Sequence, residues 1–147
     1  MSDQPSFKQK IAHHSLSIVS LVIAIIALTY NTWRSDTTEY NRNIRTASFE
    51  LIKELGSLQN ITNQLHFSNV PSGKRDELII QGWGHIALIE DLSALLPDSI
   101  SQYSTALKSS WQRNVEQLAE TSSSEKELSK TIADTRAATR KLLSTLD

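Results

Sequence analysis

The sequence predicts an all-α protein in which a single N-terminal transmembrane helix is continuous with the first helix of an antiparallel four-helix bundle. Residues 16–30 form one uninterrupted apolar stretch, LSIVSLVIAIIALTY. The rest of the chain repeats apolar residues at spacings of three and four, the period of an amphipathic helix. Only 4 glycines and 3 prolines occur among 147 residues, which favours long helices with short connections.

Composition narrows the classes of function. The chain has no cysteine, so it has no disulfide framework, no thiolate metal site and no cysteine nucleophile. Its formal net charge is −1, and the acidic and basic residues alternate instead of forming blocks. Binding of nucleic acid requires a concentrated basic surface that displaces counterions, so we expect no nucleic-acid partner.

The apolar stretch has the length of one membrane crossing. We predict a short polar tail at 1–11 and a transmembrane helix at 12–34. The 22 residues before Arg34 make a helix of about 33 Å, against a hydrocarbon core of about 30 Å. No Asp, Glu, Lys or Arg lies between Lys10 and Arg34. The lipid bilayer is therefore a predicted partner.

The C-terminal end of this helix carries the predicted interface anchors. Tyr30 and Trp33 have rings that favour the headgroup region, and Arg34 can extend its guanidinium into water. A cleaved signal peptide is the alternative interpretation. Its best cleavage motif, Ala27-Leu28-Thr29, ends in a residue that suits cleavage poorly, so we predict an uncleaved anchor.

One side of the predicted span is built from small residues. They recur at spacings of three and four along the helix: Ser17, Ser20, Ala24, Ala27 and Asn31. Small residues allow two helices in lipid to approach closely, and their hydroxyls can bond across the contact. This side is the predicted packing face, for a second copy or for another protein's span. The alternative is a span that contacts only lipid.

The sequence indicates the orientation of the span in the membrane less strongly, because the numbers of basic residues on its two flanks are nearly equal. After the span they are interleaved with acidic residues in a long domain, and long translocated domains weigh little in the positive-inside rule. We therefore predict the N-terminus inside. In a Gram-negative bacterium this means an inner-membrane protein with a periplasmic C-terminal domain; a cytoplasmic domain is the alternative.

The polar domain at 35–147 is predicted to hold four helices with short turns. Their approximate ranges are 35–67, 74–96, 99–121 and 124–146. The first repeats an apolar residue every seven positions, at Ile44, Leu51, Leu58 and Leu65. Asp98 or Ser99 is the expected N-cap of the third helix. The fourth offers a capping box in two registers, Ser124-x-x-Glu127 and Ser122-x-x-Glu125.

The second helix is the most apolar of the four, and Gly82-Trp83-Gly84 interrupts it at about 1 kcal/mol per glycine relative to alanine. We interpret this segment as a close crossing with another helix. The alternatives are a kink, or a small pocket beside Trp83 and His85. His85 lies five residues from Glu90 and six from Asp91, on different helix faces. Catalysis and metal binding require convergent groups, so we predict neither.

These observations favour a protein without enzymatic activity. The sequence contains no Walker loop, nucleophile elbow, zinc-protease helix or dinucleotide fingerprint. We expect no catalytic residue, metal or cofactor. We predict a single-pass membrane-anchored helical module that binds or scaffolds other membrane or envelope proteins through its span and its bundle. The alternative function is a ligand-sensing helical domain with a small pocket near Trp83.

Overall fold

The computed structural model describes residues 7–146, with side chains from Ser17 onward. The regular secondary structure of this part of the chain is helical and includes no strand, so the all-α prediction is confirmed. The elements are α1 Phe7–Phe67, α2 Ser72–Ala94, α3 Asp98–Asn114, a 3₁₀ turn at Val115–Gln117, and α4 Ser122–Leu143. Residues 1–6 of the predicted tail lie outside the described residues, whereas 7–11 belong to α1.

The chain divides into two compact units, Met1–Tyr40 and Asn41–Asp147, and α1 contributes to both. In the described part of the first unit, α1 is long and apolar enough to cross a membrane, by length and composition. None of its most apolar 18-residue window is buried. All eight Ile, Leu and Val side chains at 18–28 are 49 to 68 % exposed.

The core of the second unit is built on one side of α1. The predicted seven-residue stripe is buried, together with the residues between its members: Ile44, Ser48, Leu51, Leu55, Leu58, Thr62 and Leu65. Trp111 of α3 is the largest fully buried side chain of the described residues. Because 3.6 residues make one helical turn, positions spaced by three and four fall on one side of α1 and meet the other helices together.

Side-chain contacts show how the helices of this unit adjoin one another. From α1, Arg45 donates a hydrogen bond to the carbonyl of Leu146, and Gln59 Nε2 donates to Ser129 Oγ of α4 at 2.8 Å. As the position on α1 rises from 45 to 59, the position of its partner falls from 146 to 129. The two segments therefore run antiparallel. Ion pairs of 2.8 Å also connect α2 with α3 and α3 with α4, namely Glu90–Lys108 and Arg113–Glu127.

Two prolines mark where α2 and α3 begin. Pro71 and Pro97 are the N-cap residues, with φ near −57° and −54° and extended ψ. Proline suits this point because the missing N–H is one that the helix would leave unpaired. The carbonyl of Pro97 accepts a hydrogen bond from the backbone N–H of Ile100 at 2.8 Å. The predicted N-cap at Asp98 or Ser99 is therefore wrong.

The capping box predicted for α4 is also wrong. The N-cap is Thr121, which makes no side-chain cap hydrogen bond. Its hydroxyl donates instead to Ser124 Oγ at 2.7 Å, and Ser124 lies inside the helix. The acidic residues proposed for the box have other partners: Glu125 accepts from Ser129 Oγ, and Glu127 pairs with Arg113.

Helix α3 ends at Asn114, before its predicted end at 121, because the chain tightens into the 3₁₀ turn. At Asn114 the φ angle is −107°, away from the usual helical value. The turn still directs Val115 and Leu118 into the core. The change of helix type therefore preserves burial at the end of α3.

Small hydroxyl residues occupy part of the core. Thr62, Thr135 and Thr139 are fully buried, and each hydroxyl donates to the carbonyl four residues earlier in its own helix. Ser48 and Ser93 are equally buried, but their hydroxyl oxygens have no hydrogen-bond partner. A buried hydroxyl without a partner reduces stability, because it has lost its hydrogen bonds to water.

We predict that Ser48→Ala raises the free energy of unfolding by about 1 kcal/mol, since it removes an unpaired buried hydroxyl without leaving a large cavity. The matched control is Thr62→Val, which removes a paired hydroxyl and should give no gain. Thermal or denaturant unfolding of the full chain in detergent measures both variants. A lower unfolding free energy for Ser48→Ala would contradict the prediction.

Candidate functional site

The residues of the predicted packing face all lie on the exposed surface of α1. At 100° per residue, Ser17, Ser20, Ala24, Ala27 and Asn31 fall within an arc of about 80°. Their small side chains leave a shallow strip along the helix. The strip gives another helix room to approach the α1 backbone.

The other side of the same helical segment is aromatic and aliphatic. Ile25, Ile26, Thr29, Tyr30 and Trp33 line an open apolar depression. The Tyr30 and Trp33 rings contact each other with their centroids 6.2 Å apart. The Thr29 hydroxyl donates to the carbonyl of Ile25 at 2.8 Å, which satisfies it within the helix. The segment therefore presents two chemically different sides.

In the second unit, Gly82 of α2 packs against the Trp111 side chain of α3. Gly82 is buried, and a Cβ atom built on it would lie 2.2 Å from Cζ2 of Trp111. That distance is far below van der Waals contact, so only glycine fits without a shift of the ring. The edge of the Trp83 ring also meets Trp111, with centroids 6.4 Å apart.

Gly84 lies in a different environment from Gly82. A Cβ atom at Gly84 would meet no atom within 4 Å, and the residue is exposed. The two glycines therefore face opposite ways: Gly82 packs inward against Trp111, and Gly84 faces outward. Internal packing does not explain the glycine at position 84.

His85 has a partner that the sequence analysis missed. Its Nδ1 lies 2.6 Å from Glu54 Oε2 on α1, with side-chain exposures of 27 % and 21 %. The two residues are at similar distances along the chain from the turn at 68–73. In an antiparallel hairpin of α1 and α2, residues at similar distances from the turn lie side by side. Their spacing from the turn was therefore a signal in the sequence that could have predicted this pair. The half-buried pair joins the two helices.

The other polar groups considered for chemistry are separated from His85. Glu90 pairs with Lys108, and Asp91 is exposed with no ion pair to any described residue. His66 Nδ1 donates to the carbonyl of Leu118 at 2.5 Å. In the described part of the chain, no three His, Asp or Glu side chains gather as metal ligands would.

Surface ion pairs account for the shifted pKa values of the second unit. A hydrogen bond and the charge of Glu50 raise the pKa of Lys53. A hydrogen bond from Arg113 lowers the pKa of the Glu127 carboxyl. These pairs are exposed to solvent, where water and salt screen the interaction. They support solubility of the surface and form no candidate acid–base centre.

Comparison of the chain with models of known protein families, with curated proteins and with solved structures finds no match. The prediction of a ligand pocket near Trp83 stays a prediction.

The two glycines of α2 allow a matched test of their roles. We predict that Gly82→Ala lowers the free energy of unfolding by about 1–3 kcal/mol, because the added methyl overlaps the buried Trp111 ring. Gly84→Ala should raise it by up to about 1 kcal/mol, because alanine is the better helix former and nothing obstructs its methyl group. Denaturant unfolding of the full chain in detergent compares them, and equal effects of the two substitutions would contradict this assignment.

Proposed function

We propose that the chain is a single-pass membrane-anchored helical module that binds or scaffolds other membrane or envelope proteins. In this proposal residues 12–34 cross the bilayer and α1 continues into an antiparallel four-helix bundle formed by the second unit. The function is non-enzymatic. The bilayer and at least one other protein, or a second copy of the chain, are its partners.

The observation that carries the proposal is the exposed aliphatic surface of 18–28. Its eight large aliphatic side chains find no cover within the described chain. Covering a side chain of this kind contributes about 1.5–3 kcal/mol, so covering all eight contributes on the order of 10 kcal/mol. A bilayer provides such cover along the whole helix, and the absence of charges across the segment removes the main cost of insertion.

The C-terminal end of this segment and its small-residue side support the same function. Tyr30 and Trp33 follow the aliphatic residues, where amphipathic rings favour the headgroup region, and Arg34 comes next. The small-residue strip that includes Ser20 and Ala24 suits close contact with another helix, because lipid-exposed helices associate through packing rather than through the hydrophobic effect. An anchor used only for attachment would have no need of this strip.

In this proposal the C-terminal domain lies on the envelope side of a bacterial inner membrane, and the N-terminus lies in the cytoplasm. This orientation follows from the weak contribution of long translocated domains to the positive-inside rule. The charges of the bundle are mixed in sign, and several of them form ion pairs at its surface, which suits a soluble domain beside a membrane better than one that binds an anionic surface.

The anchor is tested by membrane fractionation and intact mass. We expect the full chain to stay in the membrane fraction after extraction at alkaline pH, because an inserted helix is held by apolar surface rather than by charge. The retained protein should have the mass of the uncleaved chain. In spheroplasts of a Gram-negative host, added protease should degrade the domain. Release of a shortened chain would instead identify a cleaved signal peptide and overturn the proposal.

The packing face is tested by substitution within the span. Replacing Ser20 and Ala24 together by Leu should reduce helix association about fivefold or more in a membrane reporter, because the larger side chains hold the backbones apart. The control replaces Val22 and Ile26 by Leu on the opposite side of the helix, with no expected loss. Equal association of both variants with the unmodified span would show that this side contacts lipid alone.

A further inference from the structure

Helix α2 is apolar on its outward side as well as on its core side. The core side buries Leu78, Ile86 and Ile89. The outward side exposes Ile80 by 71 % and Leu95, just after the helix, by 67 %. We define the outer face of α2 by six of its exposed residues, which are Ile80, Gly84, Ala87, Leu88, Asp91 and Leu95. The exposed polar residues Asp76, Glu77 and Gln81 border this face toward the start of the helix.

On the other helices of the second unit, the exposed large apolar side chains stand singly among polar residues, as Phe49 and Phe67 do on α1 and Tyr103 on α3. On α4 the exposed positions include Lys126, Lys130 and Asp134. On α3 they include Gln112 and Arg113. The apolar exposure of α2 is therefore not a general property of this small domain. An apolar surface bordered by polar ones marks a site of protein contact.

The shape of the outer face suits a helix. Ile80, Gly84 and Leu88 lie four residues apart and form one row along α2. The open space at Gly84 makes a gap between two aliphatic side chains. A glycine within a helix costs about 1 kcal/mol relative to alanine, and no internal contact of Gly84 offsets this cost. Close approach of a partner backbone would use the gap.

The charge of the outer face restricts what can cover it. Asp91 lies between Leu88 and Leu95 and makes no ion pair with any described residue. Two other acids of α2 have partners, Glu77 in Lys74 at 2.9 Å and Glu90 in Lys108 at 2.8 Å, whereas Asp76, one turn before Ile80, is exposed without an ion pair to any described residue. Covering Asp91 without a cation would leave a carboxylate desolvated and unpaired, which is strongly unfavourable.

This constraint disfavours a second copy of the chain. Two copies anchored in one bilayer point the same way, so a two-fold contact through α2 would bring the two Asp91 carboxylates toward each other. Like charges brought together in a contact oppose it. A partner surface complementary to the outer face of α2 would be apolar and carry a Lys or Arg.

We propose that the outer face of α2 binds a helix of another membrane or envelope protein, apolar on its contact side and with one Lys or Arg opposite Asp91. The helix lies along the row of Ile80, Gly84 and Leu88, in the manner of an amphipathic helix in a groove. This inference rests on the proposed function and names the partner class of the bundle.

The test is site-specific photo-cross-linking of the full chain in its native membranes. A benzophenone amino acid replaces Leu88, and the matched control carries it at Gln112, an exposed position of α3. We expect a cross-linked product at position 88 and none at position 112. The peptide joined to position 88 should come from a helix that is apolar on one side and contains Lys or Arg.

Two further variants test charge and shape in the background of the Leu88 cross-linker. Asp91→Lys should lower the yield about fivefold or more, because it replaces attraction by repulsion. The control Glu120→Lys changes an exposed acid elsewhere and should leave the yield unchanged. Gly84→Leu should also lower the yield by filling the gap, while the unfolding temperature stays within a few degrees of the unmodified chain.

Each outcome separates the inference from the function on which it rests. A chain in the membrane fraction that gives no product at position 88 overturns the inference and leaves the anchor intact. A product of twice the mass of the chain assigns the face to a second copy and also overturns it. A yield insensitive to Asp91→Lys rejects the charge pairing. A chain absent from the membrane fraction overturns the proposed function and the inference together.

Discussion

The buried side of α1 is the constraint on which the second unit depends. Leu51, Leu55 and Leu58 are fully buried, and contacts from the same helix reach both α2 and α4. The remaining helices pack around an apolar stripe that is already formed by helical periodicity. A change of helix type within α1 would rotate part of this stripe out of the core, so the regularity of α1 is a requirement of the fold.

The same helix displays apolar surface in two different ways along its length. From Ile44 to Leu65 the buried apolar residues occupy one side and are covered by the chain's own helices, and Phe49 is the large apolar residue left exposed there. From Ile18 to Leu28 they surround the helix and are covered by nothing in the described chain. This difference in distribution separates a helix that serves a protein core from one that suits lipid. The outer face of α2 adds a third case, a strip of exposed aliphatic side chains with the unpaired carboxylate of Asp91 among them.

The features that were predictable depend on residues near one another in sequence. Helix content and the buried side of α1 follow from spacings of three, four and seven, because these alone decide which side chains share a face. The glycines of α2 were recognisable as unusual, but their opposite environments depend on where Trp111 lies. The His85–Glu54 pair was missed because it requires the register between two helices. The capping box predicted for the start of α4 was wrong because three consecutive serines offer several equivalent hydroxyls. Only the packed structure identifies Thr121 as the N-cap residue.

The contact between Gly82 and Trp111 has a consequence for how α2 and α3 align. The buried threonine hydroxyls bond to carbonyls of their own helices, so they do not link one helix to another. The nearest residues on the same side of α2 as Gly82 are Leu78 and Ile86, one turn before and one turn after it. Sliding α2 along α3 by about one turn, roughly 6 Å, would bring one of these larger side chains into the volume of the indole ring. A missing Cβ atom thereby acts as a notch that sets the axial position of one helix against its neighbour.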